Sequence, residues 1–321
     1  MSTALKRILV VGGNGFIGSA VCKAAIARGW QVTSVSSSGQ PFRTAKGHSP
    51  AWASKVDWQK GDALHPQSFA HLFPQVGGVV HTLGILIENE RYKKAVQNGN
   101  VPELVGSFFQ AVGLGTQGNP LRQKTEAERK GSYESLNREA ALSVCNAFVS
   151  STPAPETNNV PRPFVYISAE DIFRPVIPAR YIETKREAEQ GIQEIMRDKP
   201  DYRGVFIRPS LVYHAHYRPM TTPAAVLLDL SSSIHAKVPR SLPTPAGLLR
   251  SLGSVGNSSA ADESPSSFAS MANALVIPPI HVDHVADAIC VALDSSQEVR
   301  GVVNVRRMRE LIGWSDSDGG H

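Results

Sequence analysis

The sequence lacks any long apolar run. No stretch approaches the ~18 consecutive apolar residues that a membrane-spanning helix needs, which excludes a helical membrane protein. Cysteine is scarce: Cys22, Cys145 and Cys290 are the only three in 321 residues. They lie far apart and show no Cys-x-x-Cys spacing, so neither a disulfide framework nor a thiolate metal cluster is expected, and no metal site is read from the sequence. Each falls in an apolar helical pattern, which points to buried, reduced thiols in a reducing compartment. A block of like charge is also missing. The net charge is +5 and the isoelectric point about 9.1, but Lys and Arg are scattered, as on a solvated surface rather than a nucleic-acid footprint. Met1-Ser-Thr-Ala-Leu-Lys-Arg7 runs straight into an apolar strand. No cleavable presequence of ordinary length is expected there; the alternatives are a cytosolic protein, an internal or very short signal, or a trimmed chain.

What is present is a strand–helix alternation. Ile8–Val11 is a short continuous apolar run, as in a strand buried on both faces. A helix follows, carrying Ile17, Val21, Ala24, Ala25 and Arg28 on successive turns, with Gly29 as its stop. Further strands are expected at Gln31–Ser36, Val56–Trp58, Val79–His81, Phe164–Ser168 and Val205–Arg208. The pattern predicts an α/β fold with a doubly wound parallel sheet of the Rossmann type. The dinucleotide-binding domain is placed at 1–212, returning at 280–306 with Ile280–Ile289 as a strand turning into a helix. A small C-terminal substrate-binding region is placed at 213–279. Three stretches break the rhythm: a polar insertion at 88–131, a Pro- and Asn-rich loop at 151–163, and a Ser-, Pro- and Gly-rich excursion at 241–273 expected to be mobile.

Gly12-Gly13-Asn14-Gly15-Phe16-Ile17-Gly18 joins the first strand to the first helix. Gly12 permits the tight turn, Gly15 lets the backbone approach a pyrophosphate, and Gly18 lets the helix pack close to the strand. The helix start, with Asn14, Phe16 and Ile17, offers N–H groups and a positive dipole end to phosphates. A dinucleotide site is therefore expected. The second strand ends Ser36-Ser37-Ser38-Gly39 with no acidic residue to hold the ribose hydroxyls. The serines and the nearby Arg43 suit a ribose phosphate instead, so NADP(H) is favoured, with NAD(H) as the alternative. Asp62 and Ala63, after the third strand, are placed near the adenine, a turn aspartate being the competing explanation. Leu83 and Gly84, just past the fourth strand, are assigned to the same cofactor surface.

Tyr181-Ile-Glu-Thr-Lys185 places a phenol and an ammonium on one helix face, continued by Ala188, Ile192 and Ile195. A buried lysine is costly unless it has a partner. A free tyrosine, with a pKa near ~10, is a poor acid–base group at neutral pH; an adjacent ammonium is expected to favour the phenolate and bring it into useful range. Ser168, at the end of the fifth strand, is expected to donate to a substrate carbonyl.

The glycine loop, Ser168, Tyr181 and Lys185 together resemble the extended and atypical short-chain dehydrogenase/reductases. Asn137 resembles that family's helix asparagine supporting a proton relay. Arg208-Pro209-Ser210 resembles the segment whose backbone approaches the nicotinamide, and His281-Val-Asp-His-Val-Ala-Asp-Ala resembles the late strand–helix motif. Val79–Tyr92, Tyr181–Glu189 and Ser34–Gly39 are similar to the fungal mitochondrial members that act in coenzyme Q biosynthesis, which are similar in turn to the NAD(P)-binding accessory subunit of respiratory complex I. The resemblance implies an oxidoreductase with Tyr181 as acid–base, Lys185 its partner, Ser168 the carbonyl anchor and Asn137 a relay. It also implies a prenylated quinone-like substrate and a mitochondrial setting on the matrix side of the inner membrane, in contact with a ubiquinone-synthesising assembly. A non-catalytic nucleotide-binding subunit and a nucleotide-sugar epimerase or dehydratase stay open as alternatives, the latter because Glu170 and Asp171 follow Ser168.

Overall fold

The computed structural model describes residues 6–44, 46–86, 132–155, 161–174, 177–215, 221–239, 243–255, 267–294 and 298–314. Seven parallel strands form one sheet: β1 (Arg7–Val11), β2 (Gln31–Ser36), β3 (Val56–Lys60), β4 (Gly78–His81), β5 (Arg162–Ile167), β6 (Tyr202–Ile207) and β9 (Gly301–Val303), in the order β3-β2-β1-β4-β5-β6-β9. The direction reverses between β1 and β4, so a crevice opens at the C-terminal ends of those two strands. β7 (Val212–Tyr213) and β8 (Ile280–His281) form a separate parallel pair with Tyr213 opposite His281.

Both faces of the sheet are covered at its centre, which is why β1, β4 and β5 are buried almost throughout. On one face α1 (Phe16–Ala27) and α7 (Val282–Leu293) pack together and bury Val21, Ala25, Val285 and Ile289 against Ile8, Val10 and Val165. On the other, α2 (Ala140–Ser150) and α3 (Ala179–Met196) bury Val144, Phe148, Ala188 and Ile192 against Leu9, Val79 and Phe164. Cys22, Cys145 and Cys290 are all buried and free, and burial pushes the Cys290 thiol up to about 12; these are core side chains rather than nucleophiles.

The doubly wound parallel sheet follows the expected pattern, but two segments differ. The fifth strand starts at Arg162, inside the stretch read as loop. Arg162 is 1 % exposed; its guanidinium donates to the Val76 carbonyl at 2.8 Å and to that of Phe73, and stacks on Phe148. Those partners, distant in sequence, let a charged residue open a buried strand. The 241–273 excursion contains α5 (Pro245–Val255) and the start of α6 (Ser267–Val276), which pack on each other and, through α6, on α4 (Thr221–Lys237). Ser and Gly between the apolar positions masked that helical periodicity. The insertion at 88–131 and the centre of the excursion, 256–266, lie outside the described residues. α8 (Val305–Leu311) closes the fold beside β9, with Asn304 accepting from the Arg307 N–H at 2.9 Å as its cap.

Candidate active site

The glycine turn is built as its spacing requires. Gly12 has φ +89°, in the left-handed region where L side chains are strained. A Cβ on Gly18 would stand 2.2 Å from the Gly12 carbonyl oxygen, so α1 can only lie this close to β1 with glycine there. Among the described residues, the one atom near a Cβ on Gly15 is that same carbonyl oxygen, at 3.2 Å. No side chain caps the N-terminus of α1, and its first turn carries no acid. A phosphate-bearing dinucleotide therefore fits on both steric and electrostatic grounds. Gly13, not singled out from the sequence, is equally obligatory: a Cβ there would meet Ser34 Oγ at 2.3 Å and Cys22 Sγ at 2.9 Å. Thr82 ties the turn to β4, its hydroxyl donating to the Val11 carbonyl at 2.9 Å.

From this turn a cleft of about 400 Å³ runs along the ends of β1, β4, β5 and β6. Gly12, Asn14, Gly15, Phe16, Ile17, Gly18, Leu83, Gly84, Ser168, Tyr181, Lys185 and Pro209 all line it, so the fold brings together residues 170 positions apart. Gly84 is closely fitted too: a Cβ would come 2.6 Å from Lys185 Nζ and 2.9 Å from Asn137 Oδ1. Asn137 is fully buried in the π-helical turn Glu134–Glu139 ahead of α2. It accepts from the Ile85 N–H at 2.9 Å, and its amide reaches the Thr184 hydroxyl at 3.4 Å. It thus braces the segment after β4 against α3, and the tyrosine hydroxyl of Tyr166 donates to its backbone carbonyl at 2.5 Å.

Four expectations are revised. First, the ammonium does not depress the Tyr181 phenol. Lys185 Nζ donates to the Ile167 carbonyl at 2.8 Å and lies 4.8 Å over the Tyr166 ring. Burial holds Tyr181 up at about 12, with the nearby Tyr133 adding to the rise and Arg186 opposing it. Lys185 is lowered to about 7 by burial, against the pull of Glu189. Second, Ser168 is not a free donor. Its Oγ accepts from Arg186 at 3.0 Å and is hydrogen-bonded to the Glu189 carboxylate, so donation to a substrate carbonyl has to compete with a charged acceptor. Third, Arg208, expected to bring its backbone to the nicotinamide, does not line the cleft. Its guanidinium grips Glu189 with two hydrogen bonds, one at 2.9 Å, and its N–H donates to the Val303 carbonyl at 2.9 Å; Pro209 alone of that pair lines the cleft. Fourth, Asp62 behaves as a turn aspartate. Its carboxylate accepts from the Leu64 N–H at 3.0 Å and pairs with His65 at 3.0 Å, while Ala63 packs into the core.

Ser36, Ser37, Ser38 and Arg43 stand at the end of β2, outside the lining of the cleft. Ser36 is buried and Ser37, Ser38 and Arg43 are exposed; the Asn14 amide reaches Ser36 Oγ at 3.4 Å and Ser38 Oγ at 3.3 Å. The Arg186–Glu189–Arg208 cluster was not anticipated. It occupies the floor beside Ser168, with Glu189 4 % exposed, and it balances Glu170, a cleft carboxylate raised by burial and held back by the two arginines. Its signal lay in the helix register: Lys185 and Glu189 are four apart on one face. Tyr133 was missed as well. It stands edge-on to Tyr181 with centroids 6.0 Å apart and fixes the phenol's orientation. The cleft rim at Phe173 adopts φ +65°, a conformation costing roughly 1–2 kcal/mol for an L residue. It is held by the neighbouring Arg174, which pairs with Asp171 at 2.9 Å and bonds Ser270 of α6 at 3.0 Å.

Sheet order, glycine turn and cleft define a class, and the sequence comparisons agree with it. Residues 8–100 match the model of the NAD dependent epimerase/dehydratase family, and the chain belongs to this NAD(P)-binding family of short-chain dehydrogenase/reductase fold. Among its relatives is "MIOREX complex component 2" of Saccharomyces cerevisiae, 32 % identical over 216 residues, which span 66 % of this chain and 74 % of that one. An uncharacterised chloroplastic protein of Arabidopsis thaliana is 38 % identical over 96 residues, 30 % of each chain. The fold is shared with a short-chain type dehydrogenase/reductase from Mycobacterium ulcerans (TM-score 0.53, 16 % identity, covering 96 % of this chain and 91 % of that one). It is shared too with BdcA, solved in complex with NADPH (TM-score 0.52, 11 % identity, covering 92 % and 91 %).

Proposed function

We propose that this protein is an NAD(P)(H)-dependent oxidoreductase acting on a quinone-like substrate in mitochondrial coenzyme Q biosynthesis, in contact with a larger assembly at the inner membrane. The observation that carries the reading is one cleft lined by the glycine turn, Tyr181 and Lys185. The nicotinamide, when bound, supplies or accepts the hydride. The chain's own residues do the rest. The N-terminus of α1 and the turn at Gly12–Gly18 hold the phosphates; Ser37, Ser38 and Arg43 receive a ribose phosphate, which favours NADP(H). Tyr181, with its phenol pushed up to about 12, stays protonated at neutral pH and is poised to give a proton to a carbonyl oxygen. Lys185 steadies the ribose side, and Asn137 keeps the segment at Gly84 in place. The similarity at Tyr181–Glu189 and Ser34–Gly39 supports the quinone class and the mitochondrial setting.

A second reading has its own observation. The engagement of Ser168 by Arg186 and Glu189 removes a donor that carbonyl chemistry wants, and the yeast relative is, by its name, a component of a complex. A non-catalytic NAD(P)-binding subunit, stabilised by its nucleotide, accounts for both. Titrating the purified protein with NADPH and NADH, followed by turnover assays with short-chain quinones, separates them. The enzyme reading expects nucleotide binding in wild type and Tyr181→Phe alike, with turnover falling by about 10²-fold or more in the variant. Binding without turnover in the wild type supports the subunit. The NADP preference expects Arg43→Ala to weaken NADPH relative to NADH by about tenfold, the worth of one charge-assisted hydrogen bond; an unchanged ratio removes it.

A further inference from the structure

A second cluster of chemistry-bearing side chains lies away from the dinucleotide cleft. His214 follows β7 and His281 ends β8, 67 positions apart in sequence; the parallel pairing of Tyr213 with His281 sets them side by side, with ring centroids 5.0 Å apart. Asp283 opens α7 two residues beyond His281. One ligand atom from each of the three lies within 4.8 Å of the others, and all three side chains are half-buried. His284, one residue further on, stands with its ring 5.7 Å from that of His281.

We propose that His214, His281 and Asp283 form a binding site for a divalent transition metal of the zinc class, which joins the β7–β8 pair to the N-terminus of α7. Two imidazoles and one carboxylate are the donor set of open zinc and related sites, and nitrogen donors disfavour Mg²⁺ and Ca²⁺. A tetrahedral ion with bonds of ~2.0–2.1 Å needs its donors roughly 3.3 Å apart, so the three have to close by at most about 1.5 Å, within reach of side-chain rotation at half-exposed positions. His214 and Asp283 also line a separate cleft of about 630 Å³ together with Phe42 and Trp52. Lys23 is the competitor: its ammonium sits 3.3 Å from the Asp283 carboxylate, but the Lys23 side chain is 52 % exposed, and the ammonium can swing outward. Nothing in the proposal depends on the dinucleotide chemistry.

The site has a structural consequence. β7 and β8 are where the chain leaves and re-enters the dinucleotide domain around α4–α6, so an ion here pins both ends of that region. The test uses the full-length protein, stripped with chelator and titrated with Co²⁺ alone and Zn²⁺ alone, read by the visible absorption of Co²⁺ and by titration calorimetry. One saturable equivalent is expected, with Zn²⁺ displacing the Co²⁺ signal and raising the melting temperature. His214→Ala is expected to weaken binding by more than about tenfold, the lower bound set by loss of a mere outer-shell partner. His281→Asn does the same while keeping the helix cap, since His281 now accepts from the Asp283 N–H at 3.2 Å and asparagine is a good cap; its melting curve shows that the fold survives. His65→Ala, at an exposed histidine outside the cluster, should change nothing. No saturable binding, or binding equal to wild type in both cluster variants, overturns the proposal.

Discussion

The two ends of the dinucleotide cleft are built on different physics. At the β1–α1 end the site is backbone: absent Cβ atoms, one left-handed residue and an uncapped helix start. At the β5–α3 end it is a set of buried charges, Lys185, Glu189, Arg186 and Arg208, whose protonation and direction are set by one another. Steric requirements at the first end are local and absolute, so four residues of sequence state them. Electrostatic balance at the second depends on which strand end lies above the helix and on how dry that floor is, and Ser168, Tyr181 and Lys185 do not behave there as their types alone suggest.

The sharpest way to break the contrast is to unbalance the charged end. Glu189→Ala leaves two guanidiniums facing each other at a buried site and should cost about 3–5 kcal/mol, as when one partner of a buried ion pair is removed; denaturant unfolding measures it. A loss below about 1 kcal/mol would show that the cluster is wetter than its burial implies. At the other end, Gly18→Ala forces a Cβ to 2.2 Å from the Gly12 oxygen and is expected to cost about 1–3 kcal/mol and to abolish dinucleotide binding. Retained affinity in calorimetry would show that the turn has slack.

The next effect is in pH. Lys185 is lowered to about 7 in the folded protein from the ordinary lysine value of about 10.5, so between those values the unfolded chain holds the extra proton. Stability contributed by this group therefore rises with pH from about 7 to about 10.5. Below pH 7 the cost of burying the ammonium is borne in full. The wild type should gain on Lys185→Met as pH climbs through that window; a constant difference would mean that the ammonium is solvated or firmly paired. The smallest effect is Tyr181→Phe, at a residue that lines the cleft. Its unfolding free energy should stay within about 0.5 kcal/mol of wild type, so that its loss of turnover reads as chemistry rather than as damage to the fold.

The β1 turn was legible because Gly12, Gly15 and Gly18 sit between an apolar run and a periodic helix, and because the residue spacing itself is the geometry. Tyr181 and Lys185 were legible as a pair on one face, but not as partners: the lysine turns to the Ile167 carbonyl, and that carbonyl belongs to a strand no local pattern connects to it. Arg162 as a buried strand residue and Arg208 as the clamp on Glu189 were misplaced for the same reason, since each is decided by a partner on another element.

The sequence by itself determined the alternating strands and helices and the dinucleotide turn, because apolar periodicity and missing side chains act over a few residues and need no distant partner. Only the tertiary structure decided where the buried protons and charges stand, and that His214 meets His281 and Asp283. Desolvation and ion pairing depend on what is packed nearby in space, and parallel strand pairing sets side by side residues that the chain keeps 67 positions apart.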